Sequence, residues 1–251
     1  MPPHSAVEII AHRGASHDAP ENTVAAFKLG WEQKADACEL DIRLTKDGGI
    51  VAIHDSTARR TAGVGRRVSA LTLAELHTAD AGSWKGPNWR GERIPTLEEV
   101  FATVPDGRRL FIEIKCGPEV LPELERVLDV AGKSTRPPVL IGFDFETMRH
   151  ARERFSQLPV CWVSSPAKWK LGKSIPPDEL IAKAVDANLS GLALDRRFRM
   201  DGHFVSRVKN AGLQLFVWTV DDAKLARKLA ALGVDGITTN RPLWLREQLR
   251  E

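Results

Sequence analysis

Short apolar or β-branched runs alternate with longer segments of helical period from one end of the chain to the other, and this alternation is the strongest constraint on how it folds. Eight such runs are legible, at residues 7–11, 37–42, 109–114, 139–143, 159–163, 191–194, 213–217 and 234–238. Between them lie helical patterns such as 23–33, 120–131, 178–187 and 221–230, several opened by Asp or Thr, whose side chains satisfy free N–H groups at a helix start. Eight strand–helix units in 251 residues have the size of an α/β chain folded as a (β/α)8 TIM barrel. An open doubly wound sheet usually carries a glycine-rich phosphate loop after its first strand. Here that strand ends in Ala11, His12, Arg13 and Gly14. A single barrel domain over residues 1–251 is expected.

One segment breaks the alternation. Residues 50–54 follow the second run through Lys46, Asp47, Gly48 and Gly49, a strong tight-turn signal that predicts an early β-hairpin. A hairpin symmetric about this turn sets Asp41 opposite His54, with both side chains on one face. The stretch that follows, 55–95, is rich in Gly, Arg and Trp and too long for an ordinary connection. It is expected to form a small inserted subdomain over the barrel mouth, with Trp84 and Trp89 in its core.

Lys and Arg number 36 against 33 Asp and Glu, so a net charge of +3 gives no reason to expect nucleic acid as a partner. No stretch reaches the roughly 18 apolar residues of a membrane span, and no leader or anchor is expected from residues 1–6. Cys38, Cys116 and Cys161 are odd in number, far apart and never in a CxxC arrangement, which argues against disulfides or a thiolate zinc site and for a reducing cytoplasm.

In a barrel of this kind the reactive groups gather at the C-terminal ends of the strands. Polar residues stand at those ends: His12 and Arg13 after the first strand, Glu39 and Asp41 in the second, His54 returned by the hairpin, Glu113 and Lys115 at the third. Period two sends Glu39 with Asp41, and Glu113 with Lys115, to one face, while Leu40 and Ile114 face the helices. Three converging carboxylates repel one another unless a cation neutralises them. Oxygen-only ligands suit Mg2+ or Ca2+, and Mn2+ also takes them, whereas zinc recruits imidazole or thiolate. Arg13 and Lys115 add positive charge at the same rim, so an anion such as a phosphate fits between metal and cations. His12 and His54 supply groups that exchange protons near neutral pH, one taking a proton from the attacking hydroxyl and one giving a proton to the leaving oxygen.

The blocks AHRGASHDAPENT at 11–23, ELDIRLTKDG at 39–48, AIHD at 52–55, DAGSW at 80–84, GERIPTLEEV at 91–100 and IEIK at 112–115, with VWTVDD and GVDGITTNRP near the end, cover nearly the whole chain. In this combination the sequence resembles the bacterial glycerophosphodiester phosphodiesterases. The resemblance implies one divalent cation on Glu39, Asp41 and Glu113, an acid/base pair in His12 and His54, and a phosphate clamp of Arg13 and Lys115. Trp218 matches the position where the family sets an aromatic against the glycerol moiety. The implied substrate is a small glycerophosphodiester, cleaved to glycerol 3-phosphate and a free alcohol. The resemblance further implies that the glycerol 2-hydroxyl attacks phosphorus and that water opens the cyclic phosphate that forms.

Asn240 stands where many relatives carry aspartate, and it is expected to touch none of the seven polar residues. Glu21 and Asn22 either reach the site or cap the first helix. In residues 164–177, Lys168, Trp169, Lys170 and Lys173 are expected to contact the leaving alcohol. Two other readings remain: a lysophospholipase D-like phosphodiesterase, which would be expected to carry an exposed apolar rim, and a non-catalytic phosphate-ligand sensor, which the presence of both histidines disfavours. Head group, oligomeric state and the choice among the three ions are not encoded in these motifs.

Overall fold

The computed structural model describes residues 7–130, 136–166 and 176–250. Along the chain come β1 (Glu8–His12), α1 (Val24–Glu32), β2 (Ala37–Leu44), β3 (Ile50–Ala52), β4 (Thr57–Ala58), α2 (Arg59–Ala62), β5 (Val64–Arg67), α3 (Leu73–His77) and α4 (Leu97–Phe101). The remainder alternates strictly: β6 (Arg109–Ile114), α5 (Leu121–Val130), β7 (Val139–Gly142), α6 (Phe145–Arg154), β8 (Val160–Ser164), α7 (Pro177–Asp186), β9 (Gly191–Asp195), α8 (Gly202–Asn210), β10 (Gln214–Trp218), α9 (Ala223–Leu232), β11 (Gly236–Thr239) and α10 (Pro242–Gln248). Eight parallel strands run in the order β1, β11, β10, β9, β8, β7, β6, β2, and β2 pairs back onto β1 to close the barrel. The antiparallel β3 hangs on β2 outside that ring. Among the described residues no helix is long and apolar enough to cross a membrane.

Alternation along the strands sorts the side chains into two cores. Ile10, Ala37, Phe111, Val139, Ile141, Cys161, Val163, Ala193 and Phe216 fill the barrel, where the rings of Phe111 and Phe216 meet edge to face at 4.9 Å. Ile9, Ala11, Cys38, Leu40, Ile42, Leu110, Ile112 and Ile114 face the other way and pack with apolar helix residues such as Phe27, Leu124 and Leu229. Glu39 and Asp41 share the parity of Ala37, and Glu113 that of Phe111, so period two delivers all three carboxylates inside. Below the aromatic pair, Arg109 Nε donates to Glu8 Oε1 at 2.9 Å, which neutralises both charges at the closed end.

Helix starts follow the expected chemistry. Thr23, Asp144, Asp201 and Asp222 each accept from the N–H three residues on, at 3.2, 2.8, 3.0 and 2.7 Å. The expected start of α9 at Asp221 is corrected by this: Asp222 is the cap, and Asp221 turns away to accept from Thr239 Oγ1 at 2.6 Å and from the Asn240 N–H at 2.9 Å.

The hairpin is out of its expected register by one residue. Ile42 faces Ala52 and Leu44 faces Ile50, so Asp41 lies across from Ile53, whose N–H donates to the Asp41 carbonyl at 2.8 Å. The turn is the reason. Thr45 N–H donates to the Gly49 carbonyl at 2.8 Å, which leaves an odd loop of Lys46, Asp47 and Gly48, with Gly48 at φ +87°. The core of residues 55–95 also differs from expectation. Ala58, Val68, Leu71, Leu76, Ala81 and Ile94 pack with Val51 and Ile53 of the hairpin arm, while Trp84 is 42% exposed and Trp89 half-buried outside that cluster. The indoles lose to smaller side chains because the hairpin arm itself supplies the apolar floor.

Gly14 permits the close approach of the first loop to α1. It lies at φ +77°, and a Cβ there would fall 2.4 Å from the Ala26 carbonyl carbon. Gly107 has nearly the same conformation, φ +75°, with nothing within 4 Å of the added carbon. Gly107→Ala is therefore expected to cost about 1 kcal/mol from the left-handed backbone alone. Gly14→Ala is expected to cost about 3 kcal/mol, since the backbone it meets cannot swing aside. Urea denaturation of the two variants measures the difference, and equal losses would remove the packing role given to Gly14.

Candidate active site

β2 and β6 lie side by side with Asp41 level with Glu113, and β1 lies on the other flank of β2 with His12 level with Glu39. Oxygen atoms of Glu39, Asp41 and Glu113 fall within 4.8 Å of one another, and the three residues are 3%, 0% and 9% exposed. Glu39 Oε2 accepts from the Arg13 N–H at 3.0 Å, while its Oε1 accepts no hydrogen bond. Asp41 Oδ2 accepts from Asn22 Nδ2 at 2.9 Å and lies 3.0 Å from Arg13 Nε; Oδ1 has Lys115 Nζ at 3.3 Å in ion-pair range and no hydrogen bond. Glu113 Oε1 accepts from Lys115 Nζ at 2.8 Å. Two buried carboxylate oxygens of the cluster, Glu39 Oε1 and Asp41 Oδ1, thus accept no hydrogen bond, an arrangement that fits a hard cation with oxygen ligands.

The three acids divide the electrostatic load unequally. Burial, then Asp41 and Glu113, pushes Glu39 well above the usual carboxylate range. Burial also raises Glu113, with Lys115 opposing and Asp41 adding to the rise. Burial would raise Asp41 too, but Arg13, Lys115, His54 and the Asn22 amide outweigh it and hold the group at about 2. A site without a cation favours a proton on Glu39, and a bound cation would compete for that place.

The structure brings the seven sequence-derived polar residues to one end of the barrel, and each histidine has a distinct partner. His12 Nδ1 lies 2.7 Å from Asn240 Oδ1. That amide cannot be flipped, because its Nδ2 donates to Asp221 Oδ2 at 2.5 Å and Ser16 Oγ donates to its Oδ1 at 2.9 Å. An oxygen acceptor requires a protonated Nδ1, so neutral His12 keeps its lone pair on Nε2. Burial, with Arg13 beside it, lowers His12 from 6.5 to about 4. His54 Nδ1 instead lies 2.7 Å from Asp55 Oδ1. Burial lowers His54 as well, with Asp41 and Asp55 pulling the other way and Arg13 and Lys115 reinforcing the fall.

Arg43 holds His54 near the mouth: its Nε and Nη2 donate to the His54 carbonyl at 3.0 and 2.8 Å, and Nη1 donates to the Lys115 carbonyl at 3.1 Å. One guanidinium therefore ties the end of the hairpin arm to the end of β6. Trp218 packs edge to face with Phe143 at 5.6 Å, and Lys115 Nζ lies 5.5 Å from the Phe143 ring, so an aromatic corner backs the lysine.

The expectation that Asn240 touches none of the polar residues is corrected, since it orients His12 across 228 positions of sequence. Glu21 and Asn22 reach the site: Arg13 Nη1 donates to Glu21 Oε1 at 2.8 Å, and helix capping falls to Thr23. Asn22, at φ +58°, had a readable signal, because asparagine tolerates the left-handed region that most residues avoid. Arg43 had one as well, sharing the period-two face of Glu39 and Asp41. Lys168, Trp169, Lys170 and Lys173 lie outside the described residues.

Known proteins match this chain over most of its length. The model of the glycerophosphoryl diester phosphodiesterase family matches residues 12–243. Bacillus subtilis YhdW is 39% identical over 236 residues, covering 93% of this chain and 94% of that protein. The glycerophosphodiester phosphodiesterase of Caldanaerobacter subterraneus subsp. tengcongensis is 35% identical over 243 residues, with 93% and 94% covered. Among solved structures, an Oleispira antarctica phosphodiesterase in complex with the product sn-glycerol-3-phosphate superposes with a TM-score of 0.89, at 29% identity and 98% coverage of each chain. The barrel, its paired acids and these matches together make the chain a member of the glycerophosphoryl diester phosphodiesterase family.

Proposed function

We propose that this protein hydrolyses small glycerophosphodiesters to glycerol 3-phosphate and an alcohol, with a divalent cation as cofactor and a histidine pair as acid and base. The observation that carries the reading is the buried carboxylate trio, two of whose oxygens accept no hydrogen bond, ringed by two cations and two imidazoles. Glu39, Asp41 and Glu113 would hold one Mg2+ or Ca2+, with Mn2+ of the same ligand preference. When bound, the ion would act as a Lewis acid toward phosphoryl oxygens.

The chain's own residues divide the remaining work. Arg13 and Lys115 bind the phosphodiester anion and orient it, and Trp218 with Phe143 shelters the glycerol carbons. His12 takes the proton of the glycerol 2-hydroxyl on Nε2, since Asn240 keeps the proton on Nδ1. The 2-oxygen forms a bond to phosphorus as the bond to the leaving oxygen breaks. His54 donates a proton to that oxygen, and the Asp55 carboxylate favours its charged form. In the second half His54 takes a proton from water and His12 returns one to the 2-oxygen, which opens the cyclic phosphate and restores both residues. Residues 55–95 form a small subdomain over the barrel mouth, and the free thiols of Cys38, Cys116 and Cys161 suit a reducing cytoplasm.

Release of glycerol 3-phosphate from glycerophosphocholine and glycerophosphoethanolamine tests the reading directly. Turnover is expected to stop in EDTA and return with Mg2+, Ca2+ or Mn2+; cleavage of lysophospholipids alone would favour the lysophospholipase D-like alternative. Glu113→Ala is expected to weaken metal binding and abolish turnover, whereas His54→Ala is expected to abolish turnover with metal affinity within a few fold, as calorimetric titration with the metal would report. Loss of metal in both variants would refute the separation of roles. Asn240→Asp sets a carboxylate against His12 Nδ1 and raises the pKa of that imidazole. A base must be neutral, so the acid limb of kcat/KM is expected to move to higher pH by about one unit, and an unmoved limb would exclude His12 as the base.

A further inference from the structure

Arg60 belongs to α2, in the segment between the hairpin and α4, and it is 44% exposed in its side chain. All three of its guanidinium nitrogens nonetheless donate to carboxylates. Nε donates to Asp55 Oδ2 at 2.7 Å, Nη1 to Glu21 Oε2 at 2.7 Å and Nη2 to Glu21 Oε1 at 2.8 Å. Both carboxylates also reach the site: the other oxygen of Asp55, Oδ1, meets His54 Nδ1 at 2.7 Å, and Glu21 Oε1, shared between the two arginines, accepts from Arg13 Nη1 at 2.8 Å. His54, Asp55, Arg60, Glu21 and Arg13 therefore form a row of alternating charge when His54 is protonated. Its members come from four places: the loop after β3, α2, the loop before α1 and the end of β1.

We infer that Arg60 is a positioning residue that acts through Asp55 and Glu21 to hold His54 and Arg13 in one frame, so that the acid and the phosphate clamp keep a fixed separation across the mouth. The inference rests on the roles proposed above for those two residues. The geometry argues for it in three ways. A planar fork engaging one carboxylate through both terminal nitrogens and a second through Nε fixes the angle between them, which a lysine ammonium does not do. Asp55 is one-third exposed and rotates freely without a second partner, taking the His54 ring with it. Glu21 tethers Arg13 at Nη1 while Asp41 stands against Nε, which leaves Nη2 as the edge for the substrate anion. Arg60 also neutralises both carboxylates: hydrogen bonding and charge from it help to hold Asp55 and Glu21 below their usual range despite the opposing effect of burial.

The test is chemical rescue. Arg60→Ala is expected to lower kcat on glycerophosphocholine on the order of 100-fold, with a much smaller change in KM and an unchanged melting temperature. Its partly exposed position should then admit methylguanidinium, which is expected to restore at least a tenfold part of kcat, while ammonium at equal ionic strength does not. Arg60→Lys should fall between. A second arm guards against misfolding: in an Asp55→Asn, Glu21→Gln background, Arg60→Ala is expected to cost less than threefold, because the groups it acts through are already altered. Arg60→Ala within twofold of the wild type, a loss unaffected by methylguanidinium, or full additivity with the double variant each overturns the inference. An active wild type with any of these results sinks this role alone, whereas an inactive wild type sinks the proposed reaction with it.

Discussion

Like charges repel strongly when buried together, and three carboxylates near the mouth of this barrel lie within 4.8 Å of one another. Much of the local architecture answers that repulsion. Arg13 and Lys115 flank the middle acid, Asn22 donates to it from a left-handed turn, and the Arg13 backbone donates to Glu39. Burial alone would raise all three acids, yet only Asp41 is held at about 2, because the donors and cations converge on it. The load left on Glu39 and Glu113 is what the proposed cation would carry. An arrangement so dependent on compensation is weak evidence for stability and strong evidence for use.

The barrel makes such a cluster attainable by separating two tasks. Packing between strands and helices is carried by one parity of each strand, in the layer around Leu40, Ile112 and Leu192. The opposite parity is filled by apolar side chains lower down and is released for polar ones near the mouth. Phe111 and Phe216 close the space beneath the acids, and the Glu8–Arg109 pair settles the charges at the far end. Replacing a group at the mouth leaves the outer layer untouched.

This division also explains what was legible in the sequence. The eight strands, their inward parity and the carboxylate trio followed from period two and element order, which are local properties of the chain. The hairpin register did not follow, because Thr45 closes a three-residue loop where a symmetric turn was expected, and one residue of loop length reverses every facing pair. Asn240 looked like a bystander, because its contact with His12 joins the first strand to the last and no spacing rule spans 228 residues. Arg60 was hidden for a related reason. A surface-like arginine in a basic stretch carries no sign of whether it meets solvent, a carbonyl or a carboxylate, whereas Arg43 was marked by its parity with Glu39 and Asp41. Trp84 and Trp89 misled in the opposite direction, since bulk and apolarity suggested a core that the hairpin arm had already provided.

His12 stands on the first strand, which pairs with the second strand and with the last, and its ring is oriented by a residue just beyond that last strand. A ribosome delivers these parts in order, so the emerging polypeptide holds its acids, its arginine and both imidazoles long before the amide that sets the tautomer of one of them. β11 slots between β10 and β1, with Asn240 just beyond it, so sheet closure and the His12 tautomer both wait on this strand. A chain that has not yet placed β11 would have neither a closed sheet nor an oriented His12 ring.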